Sequence, residues 1–190
     1  MDKIYLTLDE IKAIFDLELD GTLAKIRDRF LIGCVTGLRF SDYSRFNGEH
    51  LSGNIVKILT KKVNREVVIP AHRLLLVTLE RNNNILPESY TLRYYNMMLK
   101  IIGSMAGIND FVKIEEKIEG TVVNKLVRKF ELITTHTARR SFATNAYLAK
   151  IPVAKIMLIT GHSTETAFFR YIRISKMENA QELANHEFFR

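Results

Sequence analysis

The sequence predicts a mainly α-helical domain with a small antiparallel β-sheet, an α+β fold. Three observations carry that expectation. Apolar residues recur at intervals of three and four through most of the chain, the period of helices with one buried face. Between Asn54 and Pro70 the period drops to two, as in paired strands. The 190 residues are 47% hydrophobic and 26% charged, enough for one domain with a sizeable core.

The first helix opens at Thr7-Leu8-Asp9-Glu10, where a hydroxyl and a carboxylate three residues on form a capping box, and it is expected to run from Leu8 to about Leu19. Gly21 and Thr22 interrupt it and begin a second helix. There Leu23, Ile26, Phe30 and Cys34 mark a core face, with Lys25, Arg27 and Arg29 mostly off it. Gly37 ends this helix, and Arg39 follows between Leu38 and Phe40. Read locally, Arg39 is a surface arginine, one paired with Asp42, or a guanidinium fixed beside apolar anchors as a phosphate clamp.

Ile55–Thr60 and Glu66–Ile69 read as paired strands, with Asn64 suited to a left-handed turn between them. Lys61, Lys62 and Arg65 crowd the tip, either as a solvated turn or as a finger aimed at a phosphate backbone. Two further core helices are expected over His72–Arg81 and Thr91–Ala106, with Met97, Met98, Ile101, Ile102 and Met105 as packing residues. Asp110–Glu116 and Thr121–Ile133 then alternate like a second hairpin around Glu119-Gly120, while the run from Val122 to Phe130 also fits a helix.

The stretch from Thr134 to Ser175 is the most informative. A helix from Thr135 to about Lys150 places His136 and Arg139 one turn apart. Pro152 suits the first turn of the next helix and Gly161 its C-terminus. Ser163 or Thr164 caps a third helix carrying Phe168, Tyr171 and Ile172. The two helices joined at Ile151-Pro152 also fit a helix-turn-helix. Residues 176–190 read as a short amphipathic tail helix ending in Phe188-Phe189, an apolar pair suited to docking.

A formal net charge of +7 favours a polyanionic partner, nucleic acid first and an anionic membrane surface second. Cys34 is the one cysteine, so no intramolecular disulfide forms, and a reducing cytoplasm fits. The N-terminus lacks the apolar core of a signal peptide, and no apolar run reaches the ~18 residues of a membrane span. The chain shows no carboxylate cluster for Mg²⁺, no zinc-ligand spacing, no phosphate-cradling glycine loop and no serine elbow. Its polar inventory is Arg39, Lys62, His136, Arg139, His162 and Tyr171. That set suits metal-free phosphoryl transfer. Guanidiniums stabilise a pentavalent phosphorane, an ammonium protonates the leaving oxygen, and a phenol attacks once its pKa of ~10 is overcome.

These residues stand in five boxes: T-G-L-R-F-S-D at 36–42, K-x-x-R-E-V-V-I-P from Lys62, H-T-A-R-R-S-F-A-T at 136–144, I-T-G-H-S at 159–163, and R-Y-I-R around Tyr171. In this order, with Tyr171 nine residues after His162, they resemble the tyrosine recombinase (phage integrase) family, in its mobile-element integrase branch. The resemblance covers nearly the whole chain. It implies the tyrosine recombinase catalytic-domain fold over residues 1–175, the tail 176–190 docking on a neighbouring protomer, and a core-binding domain that this chain does not carry.

The resemblance further implies a role for each residue. Tyr171 attacks the scissile phosphate, giving a 3′-phosphotyrosyl link and a free 5′-hydroxyl. Arg39 and Arg139 hold the phosphate, Lys62 is the general acid, His136 the base or proton shuttle, and His162 a hydrogen-bond donor to the phosphate. Asp42 orients its neighbours, Lys61 competes with Lys62 for the acid's place, and Lys61, Arg65 and Arg140 touch DNA. Strand exchange passes through a Holliday junction in a tetramer on double-stranded DNA, with no cofactor and no membrane. Two other readings use the same residues: a type IB topoisomerase-like nickase, and a non-catalytic helix-turn-helix DNA-binding module.

Overall fold

The computed structural model describes residues 4–86, 90–118, 121–172, 174, 180, 183–184 and 187–189. Helix α1 (Leu8–Asp16) begins at the predicted capping box: Thr7 Oγ1 accepts from Glu10 N at 3.2 Å, and Glu10 Oε2 accepts from Thr7 N at 2.7 Å. It ends three residues earlier than the pattern suggests. The Leu17 backbone turns extended and its carbonyl accepts from the Arg27 guanidinium.

Helix α2 (Gly21–Thr36) is the axis of the fold. Ile26, Phe30, Leu31 and Ile32 are fully buried, and α1, α3 (Phe40–Tyr43), α4 (Arg73–Arg81), α5 (Leu92–Met105) and α6 (Thr135–Leu148) all pack on it. Arg27 and Arg29 were expected mostly off the core face; both are buried. Each is held because its donors find carbonyls or a carboxylate. Arg29 donates to the carbonyls of Tyr43, Phe46 and Leu86 at 3.0–3.2 Å. Arg27 Nε donates to Asp28 Oδ1 at 2.8 Å, and Asp28 also accepts from Asn82 at 2.8 Å.

The first sheet is antiparallel in the order β1 (Leu51–Ser52), β2 (Ile55–Leu59), β3 (Glu66–Pro70). Val56 opposes Ile69 and Ile58 opposes Val67, so one face enters the core and the other is exposed, as period-two patterning requires. The second hairpin forms a separate ribbon, β4 (Phe111–Ile118) with β5 (Thr121–Arg128), from Phe111↔Arg128 to Ile118↔Thr121. The strand stops at Arg128 rather than Ile133. A 3-10 turn over Lys129–Leu132 swings the chain inward and buries Ile133.

On α5, Tyr95, Leu99 and Ile102 form the buried face, while Met97, Ile101 and Met105 are about half exposed rather than packed. Helix α6 carries Ala143 and Ala146 into a second, smaller core, with Ile156 of α7 (Val153–Thr160) and Phe168 of α8 (Glu165–Tyr171). Segment 4–6 is stitched to α6 by three hydrogen bonds: Leu6 N to Ser141 Oγ at 2.8 Å, Arg140 Nη1 to Ile4 O at 3.1 Å, and Asn145 Nδ2 to Leu6 O at 2.9 Å. The tail helix expected over 176–190 lies mostly outside the described residues; Leu183, Phe188 and Phe189 are exposed. Among the described residues no helix is long and apolar enough to cross a membrane.

Candidate active site

Arg39 and Arg139 approach each other because α2 ends in a left-handed turn. Gly37 sits at φ +66°, its N–H closes on Gly33 O, and its own carbonyl accepts from Arg139 Nη1 at 2.6 Å. The chain leaving Gly37 places Arg39 at the N-cap of α3. A Cβ on Gly37 would lie 2.4 Å from the Phe142 ring. Gly37→Ala is therefore expected to cost about 2–4 kcal/mol, from left-handed strain and overpacking together, as read by chemical denaturation.

Gly161 ends α7 with φ +63°, and a Cβ built there would stand 3.9 Å from Arg39 Nη2. The arginine thus lies against the turn that delivers His162. Thr164, not Ser163, caps α8, accepting from Ala167 N at 3.1 Å. Tyr171 is the last residue of α8, and its ring centroid lies 4.8 Å from that of His162.

His136, Arg140 and Tyr171 line one cleft of about 460 Å³, together with Asn96 and Lys100 of α5. His136 is exposed at the start of α6, whereas Arg139 is buried. Arg140, expected on DNA, is buried instead; its guanidinium carbon lies 5.1 Å from the Tyr171 ring centroid while Nη1 holds Ile4 O. Both arginines of the A-R-R run therefore face the tyrosine's surroundings. One helix can do this because the turn at α6 is enclosed by α2 on one flank and segment 4–6 on the other.

The Tyr171 hydroxyl is buried and makes no hydrogen bond of good geometry among the described residues. Burial raises its pKa above the ordinary value for a phenol; Arg139, Arg140 and Arg39 pull the other way. The Arg139 guanidinium is near enough to favour the phenolate by its charge and by a loose hydrogen-bonding contact with the phenolic oxygen. Burial lowers the Arg139 pKa to about 10, with Arg39 adding to the effect and Tyr171 and Asp42 opposing it.

Burial, then Arg139 and Arg39, lowers the His162 pKa to about 4. The ring is neutral at pH 7. Because the folded value lies below the ordinary one near 6.5, the unfolded chain takes up this proton first as pH falls. Stability is expected to drop between about pH 6.5 and 4, and His162→Gln to flatten that part of the profile in denaturation curves measured at each pH.

Lys61, Lys62 and Arg65 are exposed at the β2–β3 tip, with Asn64 at φ 46° as its turn chemistry suggests. Asp42 fixes this tip relative to Arg39. Its Oδ1 accepts from Lys61 N at 2.8 Å, and the carboxylate is fully buried. Lys61 is thus held by its backbone, with Lys62 following it into solvent. Cys34 is buried and its thiol pKa is pushed up, which suits a packing residue rather than a nucleophile.

Thr160, which enters the sequence pattern only as part of the I-T-G-H-S box, has its hydroxyl 2.8 Å from His162 Nδ1. The signal was a hydroxyl two residues before the histidine, at a helix end where side chains turn back on the backbone. A larger cleft of about 840 Å³, around Asp16, Glu18, Asp20 and Arg27, contains none of the predicted site residues. No set of three or more His, Cys, Asp or Glu placed to hold a metal occurs among the described residues.

A helical domain with two small antiparallel sheets, in which two arginines, two histidines and a tyrosine converge from the start of α3, α6, the α7–α8 turn and α8, has the catalytic-domain fold of the tyrosine recombinases. XerA recombinase superposes with a TM-score of 0.67 at 17% identity, over 97% of this chain and 65% of that one. A lambda integrase dimer bound to a COC′ core site gives 0.61 at 18%, over 91% and 61%. The catalytic domain of bacteriophage HP1 integrase gives 0.56 at 18%, over 97% and 98%. The chain thus spans less than two-thirds of the first two and nearly all of the third. No family model matches the chain, and no curated protein matches it in sequence.

Proposed function

We propose that this chain is the catalytic domain of a site-specific DNA recombinase of the mobile-element integrase kind. The observation that carries the reading is the convergence of Arg39, Arg139 and His162 around a tyrosine whose hydroxyl is buried without a good partner.

In the proposed reaction, Arg39 and Arg139 hold the non-bridging oxygens of a phosphodiester. The Tyr171 proton passes to His136, and Oη bonds to phosphorus. The bond to the 5′-oxygen breaks as Lys62, or its neighbour Lys61, supplies a proton. The 3′-phosphotyrosyl link retains the energy of the phosphodiester, so the scheme requires neither nucleotide hydrolysis nor a metal. A 5′-hydroxyl from a second duplex reverses the step, and two rounds resolve a Holliday junction. Because the hydroxyl is covered, the end of α8 must shift to let a phosphate reach it. The proposed partners are double-stranded DNA and further protomers, with the exposed Phe188 and Phe189 as candidates for contact between them.

Suicide duplexes nicked near the scissile phosphate, drawn from a panel of attachment sites, test this. A covalent protein–DNA adduct on one site and not on scrambled DNA is the expected result. Relaxation of supercoiled plasmid without site preference would instead indicate a topoisomerase-like nickase. Salt-sensitive binding with no adduct on any substrate would leave a DNA-binding module.

A further inference from the structure

The α7–α8 turn holds a hydroxyl and an imidazole in a relation that fixes where one proton sits. Thr160 is fully buried at the end of α7. Its Oγ1 lies 2.9 Å from Ile156 O and 2.8 Å from His162 Nδ1. A hydroxyl has one proton to give. A carbonyl oxygen cannot donate, so a close contact between Oγ1 and Ile156 O is favourable only if the hydroxyl proton lies between them. The threonine oxygen then has lone pairs alone to offer the ring, and Nδ1 must carry the hydrogen.

We infer that Thr160 is a positioning residue that locks neutral His162 in its Nδ1–H form, leaving Nε2 as a bare acceptor on the side of the ring away from α7. The inference rests on the recombinase reading only for its consequence in catalysis. His162 was expected to donate a hydrogen bond to the phosphate. With Nδ1–H committed to Thr160, Nε2 can do so only after taking up a proton. Among the described residues, the charged and titratable groups facing the ring are Arg39 from the start of α3, Arg139 from α6 and Tyr171 from α8, with Phe168 packed edge-on at 5.6 Å. The arginines oppose that proton while the site is empty, and a bound phosphate's negative charge favours it. His162 therefore becomes a donor on engagement of the anion, and Thr160 accepts from Nδ1–H in both states, so the ring need not turn.

The decisive measurement is side-chain nitrogen NMR on protein labelled with ¹⁵N-histidine, which separates the two neutral forms. Wild type is expected to show His162 as Nδ1–H with Nε2 bare. Thr160→Val keeps the shape and removes the acceptor, and is expected to shift the ring toward Nε2–H; Thr160→Ser should restore the wild-type signal. A wild-type ring with bare Nδ1, or a Thr160→Val ring unchanged, overturns the inference. Should Thr160→Val fail to fold, the wild-type spectrum still decides. Covalent capture on suicide DNA supplies the second reading. Thr160→Val is expected to slow it about tenfold, the worth of one hydrogen bond, and to remove the decline toward high pH that proton uptake at Nε2 imposes on wild type. No adduct from any variant, with the tautomers as stated, would sink the recombinase reading and leave the role of Thr160 standing. Adducts with the wrong tautomer would do the reverse.

Discussion

Tyr171→Phe is expected to abolish covalent capture of DNA while leaving the protein at least as stable as wild type. The two effects separate because the hydroxyl that would attack phosphorus is buried without a good hydrogen bond. Removing the buried hydroxyl deletes a desolvation penalty that its loose contact with Arg139 offsets only in part, and it leaves the ring's packing on His162 intact. Stability by denaturation should stay within about 1 kcal/mol of wild type, on the stable side. Adduct should fall below detection on the same suicide substrates. A large loss of stability would mean that the hydroxyl has a structural partner and that its burial is no sign of chemistry.

The paired arginines of α6 should respond in opposite senses. Arg139→Ala is expected to lower the rate of adduct formation about 10²–10³-fold, the scale for losing a pre-set donor to a developing anion. Arg140→Ala should instead act mainly on stability. It removes a charged hydrogen bond to Ile4 O and the cation over the Tyr171 ring, a loss of about 2–3 kcal/mol. Spacing on α6 separates the two, since His136 lies one turn before Arg139. The structure gives a different reason: Arg139 is the one braced by Gly37 O and within reach of Arg39. Denaturation curves and capture rates on the two variants distinguish these roles. Equal losses of activity at unchanged stability would show that both arginines serve the phosphate.

Much of this was legible beforehand because helix period and turn chemistry are local. The capping box at Thr7, the left-handed Gly37 and Gly161, and the β2–β3 pairing follow from neighbours in sequence. The candidate site residues were legible as a set through the resemblance of their five ordered boxes to the tyrosine recombinases, since each residue read locally is ordinary. Burial of charge was not. Arg27, Arg29 and Arg140 look like surface residues by type, and the carbonyls that satisfy them come from distant parts of the chain. The exposed side of α5 failed for the opposite reason: Met97, Ile101 and Met105 repeat at helical spacing, but so does the buried set Tyr95, Leu99 and Ile102. Periodicity identifies faces without saying which of two is covered.

The stitches between segment 4–6 and α6 set a timetable for assembly. Their hydrogen-bonded residues stand 135, 136 and 139 positions apart. A ribosome adding 5–20 residues per second needs on the order of ten seconds to move from one side of each stitch to the other. Until then Ile4 and Leu6 wait with these backbone groups unclaimed, and Arg140 has no carbonyl to hold. Closing a loop of that length is also an entropic hurdle in refolding, so this seam should form late and open early. Arg140 is one of its threads and also lies over the tyrosine ring, so the order in which the chain is made delays completion of the pocket until some 135 residues beyond segment 4–6 have been added.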